Sequence, residues 1–114
     1  HTPKYIPELY ERRQRSIEWQ TRILRQIGVS EADVNLNIIL QTKRSIIWGF
    51  YNASRLSFSE SRRETYRVVK CSKLKGIYGQ CESLVDILYV FLLTNYLFTI
   101  AYLINKYFLK RVYH

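Results

Sequence analysis

The sequence predicts an all-α protein, with two or three basic amphipathic helices followed by a single C-terminal transmembrane helix. Three observations support this class. Apolar residues recur at helical spacing through residues 8–56, residues 87–104 carry no charge, and 18 Lys and Arg stand against nine Asp and Glu. A chain of 114 residues has room for one domain at most. We expect a basic helical extramembrane region (1–83), the membrane helix (84–109) and a short basic tail (110–114).

The first amphipathic helix is predicted over Glu8–Ile27, a stretch without Gly or Pro. Pro7 suits the first turn, and Gly28 stands where a glycine commonly ends a helix. Its arginines either form a solvated face or lie on phosphate groups. Favourable ion pairs at i,i+4 spacing are expected at Glu8–Arg12, Glu11–Arg15 and Glu18–Arg22.

The second helix is predicted to follow Ser30, a plausible N-cap, and to continue through residues 34–56. Lys43 and Arg44 interrupt its apolar residues, so it should not cross a membrane. It either packs on the first helix or lies in a membrane interface. Gly49 either weakens its middle or allows another segment to approach closely. The glycosylation triplet at Asn52 is set aside because it falls inside this helix.

A third, shorter and basic helix is predicted from a cap at Ser59 to about Cys71. A cationic loop with Lys73 and Lys75 then leads to the apolar segment. Cations beside a membrane helix each contribute on the order of 1 kcal/mol towards anionic lipid. Cys71 and Cys81 lie about 15 Å apart if one helix contains both, which forbids a disulfide. A folded loop would allow the bond, and free thiols are the alternative.

The membrane helix is predicted from ILYVFLLTNYLFTIAYLI at residues 87–104, roughly the 18 residues that a bilayer crossing needs. Tyr89, Tyr102 and Tyr107 lie near its ends, where tyrosine favours the headgroup layer. Asn95 falls near the middle, and its amide is expected to bond to a neighbouring helix. The alternative is a wholly apolar core helix of a small bundle.

Residues typical of catalysis are missing from the sequence. There is no phosphate-binding glycine loop and no histidine between His1 and His114, so we expect no enzyme, no metal and no cofactor. Most carboxylates stand beside arginines. Glu82 and Asp86, four residues apart, could bind a cation or a proton, but Glu82 is expected to pair with a nearby lysine and Asp86 to cap the membrane helix.

These features favour a non-catalytic accessory subunit of an energy-converting complex of the mitochondrial inner membrane. The chain begins at His1 without Met, which fits removal of a presequence. Fifteen of the 18 Lys and Arg precede residue 84, which places the N-terminal region on the matrix side. The expected partners are integral-membrane subunits of a large hetero-oligomer and anionic phospholipid. The expected contact residues are Arg62, Arg63, Arg67, Lys70, Lys73, Lys75, Asn95, Lys106, Lys110 and Arg111.

Two other functions are compatible with the sequence. A tail-anchored receptor or adaptor would insert the same C-terminal helix after synthesis and display the N-terminal helices. A small basic nucleic-acid or ribosome-binding protein would instead bury the apolar segment as its core, although nucleic acid is not the expected partner. In that case phosphates would contact Arg12, Arg13, Arg15, Arg62, Arg63 and Arg67.

Overall fold

The computed structural model describes residues 4–109, and its secondary structure over that range is helical without a strand. This confirms the all-α class and the three amphipathic helices that precede the apolar segment. A 3-10 turn (Ile77–Gln80) follows the third helix, and a π-helical turn (Asn105–Leu109) extends the last one. The α-helices are α1 (Leu9–Gln26), α2 (Glu31–Ala53), α3 (Phe58–Lys70), α4 (Leu84–Thr94) and α5 (Phe98–Ile104).

Local signals determine the turn between α1 and α2. Gly28 has φ = 87°, a left-handed conformation that glycine adopts without strain. The N–H of Val29 donates to the carbonyl of Leu24, and the N–H of Gly28 to that of Arg25, so the last carbonyls of α1 are satisfied. Ser30 then caps α2 by accepting from the N–H of Asp33 at 3.2 Å. The two helices therefore pack against each other across a short link.

The C-terminal half of α2 forms the centre of the core. Ile46 and Phe50 are almost fully buried, and they belong to one cluster with Val68 of α3 and Tyr89 of α4. Gly49 faces Val68, since a Cβ placed on Gly49 would lie 3.3 Å from Val68 Cγ1. The glycine thus allows α3 to approach α2 closely, which was one of the two roles considered for it.

The N-terminal arm is fastened to α2 by a reciprocal pair of hydrogen bonds. The N–H of Ile6 donates to Asn52 Oδ1 at 2.8 Å, and Asn52 Nδ2 donates to the carbonyl of Ile6 at 2.9 Å. Asn52 is only 3% exposed. Its amide is therefore part of the fold, and it is not presented as a glycosylation acceptor.

The prediction of one transmembrane helix over residues 84–109 is wrong. The segment breaks after Thr94, because Tyr96 takes φ = 58° and α5 starts only at Phe98. At the break, Asn95 Nδ2 donates to the carbonyl of Phe91 at 2.8 Å, so this amide completes its own helix. Among residues 4–109, no helix combines the length and the apolar character that a bilayer crossing demands.

Tertiary packing explains the break. Tyr96 packs its ring against Tyr66 of α3, with centroids 5.7 Å apart, and against Phe98, at 5.6 Å. The inner sides of both helices join the core around α2 and α3, with Leu93 and Ala101 fully buried. A straight rod would remove α5 from that core. The alternative of an apolar core helix thus describes the inner sides of α4 and α5.

Candidate interaction surface

Helices α4 and α5 are apolar on their outer sides as well as on their inner sides. On α4 the exposed apolar residues recur at i, i+3, i+4 and i+7, and on α5 with its extension they recur every three or four residues from Leu97 to Tyr107. Exposed contiguous apolar surface of this kind marks sites of interaction. These outer residues, here called the apolar faces, are Leu84, Ile87, Leu88 and Phe91 on α4 and Leu97, Ile100, Leu103, Tyr107 and Phe108 on and around α5.

Cations stacked on aromatic rings lie where α3 meets α5. The Arg62 guanidinium is 5.7 Å from the centroid of the Phe58 ring, and Lys106 Nζ is 5.7 Å from that of Tyr102. The Phe58 and Tyr102 rings are themselves 5.1 Å apart. Lys70 Nζ lies 5.6 Å from the ring of Tyr66. This cation–aromatic edge is defined by Phe58, Arg62, Tyr66, Lys70, Tyr102 and Lys106.

A shallow cavity of about 320 Å³ opens at the same edge, and Arg62, Arg63, Tyr66 and Phe98 line it. Four of the predicted contact residues, Arg62, Arg63, Lys70 and Lys106, are therefore exposed beside aromatic rings. A cation over a ring suits the boundary between an apolar and an anionic partner, because the ring contributes contact area and the cation charge. The edge and the apolar faces share α5.

Arg67, also predicted as a contact residue, is instead engaged inside the fold. Its guanidinium forms ion pairs with Glu64 and with Glu11 of α1, and it lies 5.9 Å from the Tyr10 ring. The hydrogen bond that it donates to Glu64, and then the one to Glu11, raise the pKa of Arg67. Glu11 thus pairs across to α3 rather than with Arg15 on its own helix, and Arg67 joins α1 to α3.

A buried ammonium group joins α2 to the start of α4. Lys43 is 1% exposed, and its Nζ lies 2.6 Å from both Glu82 Oε2 and Asp86 Oδ2. Arg44 also donates to Glu82, and hydrogen bonds from Arg44 and then Lys43 lower the pKa of Glu82 to about 2. Asp86 accepts from the N–H of Glu82 at 2.9 Å, while Ser83 caps the helix by accepting from Asp86 N–H. The lysine that pairs with Glu82 is therefore Lys43, 39 residues away in the chain, and the cap of α4 is Ser83, where Asp86 was expected.

Lys73 and Lys75 are not part of the cation–aromatic edge. They line cavities beside α2. One cavity, of about 430 Å³, also contacts Arg22 of α1, and the other, of about 390 Å³, contacts Gly76. The predicted cations Lys110 and Arg111 lie outside the described residues. Of the predicted set, the structure brings together Arg62, Arg63, Lys70 and Lys106 on α3 and α5, and separately Lys73 and Lys75.

The two cysteines are free thiols, with Cys71 exposed and Cys81 half-buried. Burial, with a smaller contribution from the charge of Asp86, raises the pKa of the Cys81 thiol. Within residues 4–109, no three His, Cys, Asp or Glu side chains are arranged as metal ligands.

The sequence analysis identified neither Lys43 as a buried, ion-paired cation nor Arg22 as a cation that lines a cavity. Lys43 was interpreted only as an interruption of the apolar pattern. The acidic pair Glu82 and Asp86 was the available signal, because two neighbouring carboxylates favour a cation between them. Arg22 was assigned to an ion pair with Glu18, which the structure does not form among the described residues. Only the fold places Arg22 opposite Lys73.

Comparison of the chain with models of protein families, with curated proteins and with solved structures returns no match.

Proposed function

We propose that this chain is a non-catalytic accessory subunit of a membrane-bound multisubunit complex, to which it attaches through the apolar faces of α4 and α5. The observation that carries the proposal is the exposure of these faces: Leu84 is 83% exposed, Phe91 50% and Phe108 79%. Leaving such side chains in water forfeits about 25 cal/mol for each Å² of apolar surface that a partner would bury. The mitochondrial inner membrane and an energy-converting complex remain predictions from the sequence.

The carboxylates support a structural role over a catalytic one. Glu11, Glu82 and Asp86 serve in ion pairs that join one helical segment to another, and Glu64 pairs with Arg67 within α3. A general acid or base needs a free group positioned against a substrate. The cation–aromatic edge beside the apolar faces fits an apolar partner surface that is bordered by anionic groups, such as membrane subunits surrounded by anionic phospholipid.

The alternatives have less support. The tail-anchored hypothesis depended on one continuous C-terminal helix, which is replaced here by α4 and α5. The nucleic-acid hypothesis depended on six arginines, but Arg67 is ion-paired, and Arg13 stacks on Trp48 at 4.0 Å and donates to Ser45. Two of its phosphate contacts are thus already occupied.

Blue-native electrophoresis tests the proposal. The tagged chain is expressed in the cells that encode it, and their membranes are extracted with mild detergent. We expect it to migrate with a complex far heavier than itself. The variant I87S/F91S/L103S, here called the face variant, should release it, since these side chains are 44–50% exposed.

The matched control is W19S/I27S/L36S, which removes three apolar side chains of similar or greater exposure from α1, its C-terminal turn and α2. It should remain in the heavy complex. Migration of the unaltered chain as a lone small species, or equal release by both variants, would contradict the proposal. An import assay with isolated mitochondria tests the predicted compartment separately.

A further inference from the structure

A groove with an apolar floor runs along α2. Its two cavities, of about 430 and 390 Å³, lie beside residues 71–73 and residues 73–76. Ile38, Thr42 and Lys73 line both cavities, so the two are neighbours along α2 and are together called the groove. Each volume falls within the range of roughly 300–1,000 Å³ that is usual for small-ligand pockets.

The rim of this groove carries an excess of positive charge. Arg22, Lys73 and Lys75 are exposed, and none of them forms an ion pair among residues 4–109. A fourth cation on the rim, Arg25, is neutralised by Glu31 at 3.0 Å. Glu18 is the one carboxylate among the lining residues. The rim therefore attracts an anion.

The floor has the opposite character. Ile17 is buried, and Ile38 and Ile39 are half-buried, so apolar side-chain surface is left open between the cations. Gly76 helps to shape the smaller cavity, because it lies against Ile39. It has φ = 80°, and a Cβ at this position would come within 3.3 Å of Ile39 Cδ1. A free anion would use the rim and leave the isoleucines in water.

We propose that this groove binds a single-chain anionic amphiphile, a molecule with a phosphate or carboxylate head and one acyl chain. The head lies against Arg22 and Lys73, which line the larger cavity together, and the chain covers Ile38 and Ile39 on the side of Lys75. Charge complementarity selects the head, and burial of apolar surface favours the chain over a headgroup alone. This site is independent of the apolar faces.

Cys71 supplies a reporter, because its exposed thiol lines the larger cavity. In the C81S variant, Cys71 is the remaining thiol, and its alkylation by a maleimide can be timed. Lysophosphatidic acid, kept below its micelle concentration, should slow alkylation about tenfold at saturation. Glycerol phosphate, which lacks the chain, and lysophosphatidylcholine, which lacks net charge, should each change the rate by less than about twofold.

Variants locate the ligand. R22Q/K73Q in the C81S background should abolish the protection, whereas the matched control R62Q/K106Q, which removes two exposed cations from the cation–aromatic edge, should keep it. All four positions are exposed, so the melting temperatures should agree. The face variant should also keep the protection, which separates this site from the proposed function.

Four results would overturn the proposal. Equal protection by glycerol phosphate would mean that only an anion binds, and protection that survives R22Q/K73Q would place the ligand elsewhere. Loss of protection in the face variant would place the amphiphile on α4 and α5. Protection by an acidic amphipathic peptide, but not by lysophosphatidic acid, would likewise replace the amphiphile with a protein partner. Failure of the chain to join a heavy complex, with Cys71 still protected, would refute the proposed function alone.

Discussion

At the scale of single residues, Lys43 shows how the fold accommodates a buried charge. Its ammonium is 1% exposed and is bound by two carboxylates, and Asp86 is the more buried of the two at 17% side-chain exposure. Removing the partner of a buried charge leaves that charge buried and unpaired. This lowers the free energy of unfolding more than replacing the buried charge itself with an apolar group. The two sides of this interaction should therefore respond differently to substitution.

We expect Asp86→Asn to destabilise the protein by about 2 kcal/mol and Lys43→Met by about 1 kcal/mol or less. Asp86→Asn weakens the hold on a buried ammonium, whereas Lys43→Met leaves carboxylates that reach water. Urea denaturation of both variants and of the double variant measures the difference. The double variant should lose less stability than the sum of the two single losses, because with Met at position 43 there is no buried ammonium left to lose its partner. Additive losses would show that the groups are not coupled.

Glu82 should make the stability sensitive to acid. Its hydrogen bonds from Arg44 and Lys43 lower its pKa from 4.5 to about 2 in the folded chain. A lowered carboxyl pKa stabilises the fold fully above the unfolded value, and the contribution is lost as the pH falls from 4.5 to about 2. The urea midpoint should therefore fall between about pH 6 and about pH 3, and fall less steeply in Glu82→Gln. Parallel pH profiles for the two proteins would rule out this role.

At the scale of helices, the break at Tyr96 distinguishes the observed fold from a single rod. In the left-handed conformation of this residue, glycine avoids a strain of about 1 kcal/mol that any side chain with a Cβ incurs. Within a continuous helix the order reverses, and alanine is favoured over glycine by about 1 kcal/mol. Both substitutions remove the same ring, so the loss of contacts with Tyr66 and Phe98 cancels in the comparison.

We therefore expect Tyr96→Gly to be more stable than Tyr96→Ala by about 1 kcal/mol in urea denaturation. Thr99, in the first turns of α5, offers a matched control, since Thr99→Ala should there be more stable than Thr99→Gly. The opposite order at Tyr96 would indicate that α4 and α5 form one helix.

Local sequence signals predicted α1 and α2 well and did not predict this break. They placed the start of α3 two residues late, since its N-cap is Ser57 and not Ser59. Pro7, Gly28 and Ser30 mark the ends of α1 and the start of α2, and α1 runs from Leu9 to Gln26 where Glu8–Ile27 was expected. Such signals act within a few residues. The segment from 84 to 104 contains no Gly or Pro, so its bend depends on ring contacts with α3, which local patterns do not encode.

At the scale of the whole molecule, the sequence likewise predicted only part of the candidate site. Composition predicted a basic interaction protein, and Arg62, Arg63, Lys70 and Lys106 are indeed exposed on α3 and the C-terminal helix. The sequence could not predict which cations the fold would engage. Partners 39 to 43 residues apart bind Lys43, and Glu11 reaches Arg67 across 56 residues. Those pairings follow from how the helices pack, which also creates the groove beside α2.

The apolar faces should make the isolated chain associate with itself. Without its partner, the outer residues of α4 and α5 meet water, and pairing two copies through them is the simplest way to bury them. Sedimentation velocity should show the mean mass rising with protein concentration, and mild detergent should reverse the rise. The face variant should stay monomeric at the same melting temperature, because its three positions are 44–50% exposed. W19S/I27S/L36S should associate like the unaltered chain, since it leaves both faces intact. A monomer at every concentration would mean that these side chains cover one another in solution.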